Sequence, residues 1–156
     1  MLRVRSARAE EADALTALCV RSKAHWGYDA EFMRLSAPGL TVKPEAIEEG
    51  RVLVAENQHG RLLGVAAVEP VQGSDKFDLA QLFVEPSAIR SGVGRLLFEA
   101  AVGLVARTGG ISLSILADPF AAPFYQHLGA AMIGEAPSDA IPGRLLPVFN
   151  YVIPPD

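Results

Sequence analysis

The chain has 156 residues, of which 50% are hydrophobic and 21% are charged, and its formal net charge is −4 at pH 7. These values predict one globular domain over residues 1–156 and argue against disorder, nucleic-acid binding and docking to an anionic membrane. One cysteine excludes an internal disulfide, and the sequence shows neither a signal peptide nor a long apolar segment, so we expect a cytoplasmic protein.

Hydrophobic periodicity predicts helices and strands that alternate along the chain. In chain order, the expected elements are a strand (Leu2–Arg5), two helices (Glu10–Ala24, Ala30–Leu35), three strands (Arg51–Glu56, Leu62–Val68, Phe77–Val84), a helix (Gly94–Arg107), a strand (Ile111–Leu116), a short helix (Ala121–Leu128) and two strands (Ala131–Gly134, Val148–Ile153). Proline and glycine predict loops over residues 36–50 and over Pro137–Pro147. This order predicts an α/β domain with a mixed sheet.

A glycine-bearing turn, Arg90-Ser91-Gly92-Val93-Gly94, connects the third of these central strands to the long helix. Glycine allows consecutive backbone N–H groups to turn toward one point, and the start of a helix adds unpaired donors and partial positive charge. Arg90 and Arg95 could add side-chain contacts to the same anion. The turn therefore predicts a phosphate cradle. Leu97 replaces the third glycine of a dinucleotide-binding motif, and no Gly-Lys-Ser/Thr follows.

A second motif, Phe124-Tyr125-Gln126-His127-Leu128-Gly129, places a phenol on a short helix that ends in glycine. The Tyr125 ring could simply pack in the core, but a buried phenol also needs a polar partner. Taken together, the segments from Leu82 to Gly129 resemble the GNAT superfamily of acyl-CoA-dependent N-acetyltransferases. The resemblance implies a mixed, splayed central sheet flanked by helices, with acetyl-CoA as co-substrate and no metal.

The resemblance also implies roles for individual residues. The pyrophosphate of coenzyme A would bind the turn formed by Arg90, Ser91, Gly92, Val93, Gly94 and Arg95. The pantetheine arm would lie along Leu82, Phe83 and Val84 like an added strand. Tyr125 would protonate the leaving thiolate, whose basicity is similar to that of a phenol. Ile89 occupies the position where the family carries Gln or Arg, and Phe120 occupies a position where many members carry Asn.

The acceptor side is less well defined by the sequence. His25, Trp26, Tyr28 and Asp29 lie between the first two helices and could either bind the acceptor or pack the helices onto the sheet. Asp29 or Asp78 could receive an ammonium group, and Arg144 could bind a carboxylate. No general base is assigned, because Ile111–Leu116 contains no carboxylate. The three histidines lack the spacing of metal ligands.

The resemblance predicts transfer of an acetyl group from acetyl-CoA to the primary amine of a small molecule, by direct attack in a ternary complex. A backbone N–H near Phe83 or Val84 would stabilise the oxyanion. A non-catalytic acyl-CoA sensor or interaction module of the same fold is the alternative. Cys19 lies on an apolar helical face and is expected to pack there rather than to carry an acyl group. A homodimer is left open.

Overall fold

The computed structural model describes residues 1–155. The strands are β1 (Arg3–Ser6), β2 (Val52–Glu56), β3 (Leu62–Pro70), β4 (Lys76–Val84), β5 (Ser112–Leu116), β6 (Ala131–Pro137) and β7 (Leu145–Val152). The α-helices are α1 (Ala12–Ala24), α2 (Ala30–Leu40), α3 (Pro44–Glu48), α4 (Val93–Arg107) and α5 (Ala122–His127). The strands form one sheet in the order β1-β2-β3-β4-β5-β7-β6, which confirms the predicted α/β fold.

The sheet opens in the middle, between β4 and β5. These two strands are parallel, whereas every other neighbouring pair is antiparallel. They pair only from Lys76 with Ser112 to Asp78 with Ser114. Beyond that point the strands diverge, so the segment Leu79–Val84 has no strand on its β5 side. The predicted splay is therefore present, and it leaves a backbone edge inside the molecule free to bind a ligand.

Helices cover both faces of the sheet and bury its apolar residues. On one face, Leu15 and Leu18 of α1 pack with Val54 and Val65. On the other face, α4 and α5 pack over a cluster that includes Leu97 and Phe149.

The apolar residues of α4 recur at intervals of about one turn, which gives the helix a single buried face: Val93, Leu97, Ala101 and Val105. This helix lies very close to β3 at Gly64, where an added Cβ would be 2.7 Å from the Leu97 side chain. Burying a leucine of this kind stabilises the fold by about 2 kcal/mol. The packing fixes the start of α4 beside the open end of β4.

The structure corrects several predicted boundaries. Helix α3 lies where a loop was expected, and Pro44 occupies its first turn, a position that proline tolerates because the N–H there has no helical acceptor. Helix α2 continues through Pro38 to Leu40, which is only 3% exposed and holds the last turn by packing. Strands β6 and β7 extend toward each other, so the predicted loop Pro137–Pro147 shortens to residues 138–144.

Candidate active site

A cleft of about 420 Å³ runs from the fork between β4 and β5 to the first turn of α4. Four parts of the chain line it: β4 and its continuation (Leu79–Val84), the end of α1 (Ser22, Lys23, Trp26), the glycine turn (Ile89, Arg90, Gly92, Gly94, Arg95) and the segment from β5 to α5 (Ile115–Asp118, Phe120, Ala121, Phe124, Tyr125). The structure thus brings Tyr125 and most of the predicted cofactor-binding residues to one cleft.

The glycine turn has the backbone geometry of an anion site. Gly92 caps α4 with φ of +89°, and Arg90 has φ of +68°. The Leu96 N–H donates to the Gly92 carbonyl, so the N–H groups of the preceding turn have no helical acceptor. A Cβ on Gly92 would meet no protein atom within 4 Å, which shows that the space beside the turn is open. These free donors and the helix dipole suit a phosphate.

Two predicted cofactor residues, Ser91 and Val93, do not line the cleft. The Ser91 hydroxyl donates to the Ala88 carbonyl, and the Val93 side chain is fully buried next to Gly64. Arg95 lies at the cleft but also forms an exposed ion pair with Glu99 at 3.0 Å. The turn therefore presents mainly main-chain groups to the cleft.

Tyr125 lies against the rings of Phe98, Phe124 and Phe149, and only 6% of its surface is exposed. Burial, and secondarily the negative charge of Asp118, raises the pKa of Tyr125 above its ordinary value. The phenol is therefore protonated at neutral pH. Within residues 1–155 its hydroxyl makes no hydrogen bond, so the proton remains available for a group in the cleft.

A second cavity, of about 610 Å³, adjoins the cleft at β4. The two share Leu79, Ala80, Gln81 and Leu116. At this point Ala67 pairs with Gln81 and Val68 with Leu79, so Ala80 is an extra residue in β4. Such a β-bulge bends the strand and redirects its backbone groups. The second cavity opens next to this bulge and is suitable for an acceptor molecule.

The charged residues that line the second cavity are three carboxylates, Glu69, Asp78 and Asp139, and two basic residues, Lys43 and Arg51. Glu69 and Asp78 lie directly opposite each other in the β3–β4 pair, and Asp139 approaches from the segment between β6 and β7. Like charges in this register repel each other. Partial burial, and secondarily Glu69, raises the pKa of Asp78. In the described residues neither Glu69 nor Asp78 forms an ion pair, so this pair is free to receive a cation.

Glu85, the other carboxylate near the fork, is already neutralised. It accepts two hydrogen bonds from Arg21, at 2.6 and 3.0 Å, and these bonds hold the pKa of Glu85 below its usual range. Its role is to join α1 to the end of β4. Cys19 is also excluded from chemistry, because complete burial raises the pKa of its thiol to about 12. A neutral buried thiol is a poor nucleophile.

The predicted acceptor-binding residues are placed in three different environments. Asp78 lines the second cavity, whereas Trp26 lines the cofactor cleft and stacks on Phe120 with ring centroids 4.9 Å apart. Asp29 caps α2 by accepting from the Phe32 N–H, and the exposed His25 ring contacts only the edge of Trp26 among the aromatic rings. His25 and Asp29 line neither cavity.

Tyr28 and Arg144, which also line neither cavity, belong to a polar cluster centred on Asp118. Asp118 Oδ2 accepts from Lys23 Nζ at 2.6 Å and from the Tyr28 hydroxyl at 2.8 Å. Arg144 Nη2 donates to the Tyr28 hydroxyl at 2.9 Å. The sequence analysis missed Asp118 and Lys23 as organising residues. The available signal was Asp-Pro-Phe before α5, which is typical of a side-chain-capped turn.

Over residues 1–155, no group of three or more His, Cys, Asp or Glu side chains is arranged to hold a metal ion. Within the same range, the helices are too short or too polar to cross a bilayer.

Residues 48–129 match the family model described as an acetyltransferase (GNAT) domain. No curated protein matches the sequence. Among solved structures, the chain is similar to the PaiA N-acetyltransferase of Thermoplasma acidophilum in complex with coenzyme A, with 14% identity, a TM-score of 0.79 and coverage of 97% of this chain and 99% of that one.

Two further solved structures have the same fold. A GCN5-related N-acetyltransferase from Rhodopseudomonas palustris is 25% identical, with a TM-score of 0.76 and coverage of 96% of this chain and 94% of that one. YncA of Salmonella typhimurium, solved with acetyl-CoA, is 19% identical, with a TM-score of 0.72 and coverage of 100% and 96%.

Proposed function

The chain belongs to the GNAT acetyltransferase family, and from that premise we propose that it transfers an acetyl group from acetyl-CoA to the primary amine of a small molecule. The observation that carries the proposal is the junction of two cavities at the bulge in β4. One cavity reaches the free N–H groups of α4, and the other is lined by the unpaired carboxylates Glu69 and Asp78 together with Lys43 and Arg51. A donor and an acceptor bound in these cavities meet beside Ala80.

Acetyl-CoA fits the chemistry of the cofactor cleft. The pyrophosphate carries negative charge and suits the donors of the turn at Arg90–Arg95. The amide-bearing pantetheine arm suits the unpaired backbone edge at Leu82, Phe83 and Val84, which it would extend as a strand does. Similar solved proteins bind coenzyme A or acetyl-CoA. The stacked rings of Trp26 and Phe120 supply a flat apolar surface on the same cleft.

The reaction follows from this placement. The neutral amine attacks the thioester carbonyl carbon and forms a tetrahedral intermediate, whose oxyanion accepts a hydrogen bond from a backbone N–H of β4. Because the cavities adjoin at the bulge, we place that donor near Ala80 rather than at Phe83 or Val84. Collapse of the intermediate breaks the C–S bond, and Tyr125 gives its proton to the thiolate. The proton of the amine passes to Asp78 or to solvent.

The acceptor cavity favours an amine that carries positive charge when it arrives. Glu69 and Asp78 attract an ammonium group. The raised pKa of Asp78 makes its carboxylate a stronger base and so a better acceptor for the proton of the amine. Arg144 is engaged with Tyr28 and does not line the cavity, whereas the basic residues Lys43 and Arg51 do line it.

Two measurements test the proposal. Calorimetry should show binding of coenzyme A and acetyl-CoA but not of ATP or NAD. A free-thiol assay should then show release of coenzyme A with at least one of 1,4-diaminobutane, benzylamine, glycine or an aminoglycoside, and mass spectrometry should identify the N-acetylated product. Binding of acetyl-CoA without transfer to any amine would favour the non-catalytic sensor. Preferential binding of ATP or NAD would overturn both interpretations.

A further inference from the structure

The polar cluster formed by Lys23, Tyr28, Asp118 and Arg144, here called the Asp118 cluster, joins four distant segments. Lys23 ends α1, Tyr28 precedes α2, Asp118 precedes α5, and Arg144 closes the segment between β6 and β7. In addition to its bond to Tyr28, Arg144 Nη2 lies 3.8 Å from Asp118 Oδ2. Asp118 Oδ2 thus has three partners, which belong to residues 26 to 95 positions away from Asp118 in the chain.

The cluster is largely shielded from solvent and packed on aromatic rings. The side chains of Lys23, Asp118 and Arg144 are only 15%, 14% and 20% exposed. Tyr28 stacks on Phe32 of α2 with centroids 3.9 Å apart, and the Arg144 guanidinium lies 4.9 Å from the Phe32 ring centre. Shielded charge-assisted hydrogen bonds are among the stronger polar contacts in proteins, so the cluster restrains all four segments.

Two of the segments that line the acceptor cavity are connected to this cluster. Asp139 lines the cavity from the segment 138–144, which the Ser138 N–H closes by donating to the Arg144 carbonyl at 2.8 Å. Pro38 and Gly39 also line the cavity, and they lie near the end of α2, the helix that begins next to Tyr28. The hydroxyl of Tyr28 provides the hydrogen-bonded link between Arg144 and Asp118, which are otherwise joined only by the longer ion pair of 3.8 Å.

The same carboxylate also reaches the helix that carries Tyr125. Asp118 Oδ1 accepts from the Phe120 N–H at 2.9 Å and orders the turn from which α5 starts. Burial alone would raise the pKa of Asp118, but hydrogen bonds from Lys23, the Phe120 N–H and Tyr28 lower it, so the group is ionised at neutral pH. The two oxygens of one charged side chain thus serve two different parts of the site.

We infer that Asp118 is a positioning residue that holds the walls of the acceptor cavity in register with the helix of the catalytic tyrosine. The inference rests on the proposed function for its kinetic consequence, but its structural part can be measured separately. It makes Tyr28 a specificity-determining residue that acts through its hydroxyl, without contact with the acceptor. The cofactor turn at Arg90–Arg95 is independent of the cluster.

The test compares Tyr28→Phe with Tyr151→Phe. The first variant removes only the hydroxyl that links Arg144 to Asp118 and keeps the stacking on Phe32. The second removes a hydroxyl that makes no hydrogen bond among residues 1–155. With 1,4-diaminobutane as acceptor, we expect the KM for the amine to rise about tenfold in Tyr28→Phe, the loss typical of one charge-assisted hydrogen bond. Both kcat and the Kd of acetyl-CoA should stay within about twofold.

Hydrogen exchange measured on the same proteins supplies a readout that needs no acceptor. Amides of residues 138–144 should exchange faster in Tyr28→Phe, while those of β1 and β2 stay unchanged. Asp118→Asn should show the same change and should also lower kcat, because the charged acceptor of the Phe120 N–H, which orders the turn before α5, is lost.

The outcomes separate the inference from the proposed function. Unchanged exchange in Tyr28→Phe, or an equal rise in KM in Tyr151→Phe, would overturn the inference while transfer by the wild type continues. If the wild type binds acetyl-CoA but acetylates 1,4-diaminobutane and the other amines not at all, the proposed function fails. Faster exchange confined to residues 138–144 would then still support the positioning role of the cluster.

Discussion

The turn at Arg90–Arg95 and the Asp118 cluster both reach the cofactor cleft, the cluster through Lys23 and Asp118 only, but they are built in opposite ways. The turn consists of six consecutive residues and presents backbone N–H groups, while its arginine side chains lie near the surface. The cluster consists of four side chains from four separate segments, held by shielded hydrogen bonds. The turn depends on local conformation, whereas the cluster depends on the whole tertiary arrangement.

This difference has consequences for mutation. A backbone site tolerates side-chain changes as long as its dihedral angles are preserved, so the glycines are its sensitive positions. A side-chain cluster is weakened when one member is replaced, because the removal leaves a shielded polar group with one hydrogen bond fewer. Substitutions can therefore separate cofactor binding from acceptor binding.

The largest effect is expected for Tyr125→Phe, which leaves both regions intact and removes only the proton donor. Loss of general acid catalysis should lower kcat by about 100-fold. The Kd of acetyl-CoA should remain within about twofold, because the phenol assists mainly in the transition state. A free-thiol release assay and calorimetry measure the two quantities. Wild-type turnover in this variant would show that another group, or solvent, protonates the thiolate.

Next in size is the effect of Gly92→Val on the turn. Valine is strained at φ of +89°, and its side chain would project into the open space that the pyrophosphate needs. We expect acetyl-CoA binding to weaken at least tenfold, or about 1.4 kcal/mol. Gly109→Val is the matched control, because Gly109 follows the other end of α4 with φ of +85° and equally open surroundings. Calorimetry that finds equal Kd values for the two folded variants would contradict the placement.

A smaller effect is expected for Asp78→Asn in the acceptor cavity. The KM for a cationic amine should rise about threefold to tenfold, with unchanged binding of acetyl-CoA. The pKa of Asp78 is raised in the folded state. Ionisation of Asp78 therefore lowers the free energy of unfolding once the pH exceeds the pKa of the free carboxyl. The variant should therefore be more stable at pH 7, by about a few tenths of a kcal/mol. Denaturant titrations at pH 3 and pH 7 check this, because the gain should disappear at the lower pH.

The smallest effect is expected for Arg95→Met at the turn. Arg95 is exposed and paired with Glu99, so its loss removes a screened charge and no backbone donor. The Kd of acetyl-CoA should rise by about threefold or less at physiological salt. A tenfold loss would mean that side chains, and not the backbone, hold the anion, and it would weaken the contrast between the two regions.

Several predictions from the sequence depended on neighbouring residues only, and the structure agrees with them. The period of the apolar residues in α4 identified its buried face, and the glycines identified the turn at its start. The seven strands also occur in the predicted order, and the splay of the mixed sheet is what the family resemblance implied. The predicted helix boundaries were wrong at two prolines, a residue that can either interrupt a helix or occur in one. Pro44 starts a helix and Pro38 continues one, although both were interpreted as loop signals.

The roles of the acceptor-side residues could not be read from their positions in the chain. Tyr28 and Arg144 carry suitable functional groups for binding a substrate, but the fold directs both toward Asp118. Asp29 was an equally plausible ligand, and its carboxylate instead caps α2. A polar side chain has several possible partners, and the sequence does not state which of them the register of the strands brings within reach.

The sequence by itself determined the family, the order of elements, the glycine turn before α4 and the position of the tyrosine, because each is encoded in contiguous residues by periodicity, glycine conformation or capping. Only the tertiary structure decided that two cavities adjoin at Ala80, that Glu69 lies opposite Asp78, and that Asp118 joins four segments. The physical reason is that these contacts depend on how strands pair and how helices pack. Most of them link residues that are distant in the chain, and such residues come together only in the folded protein.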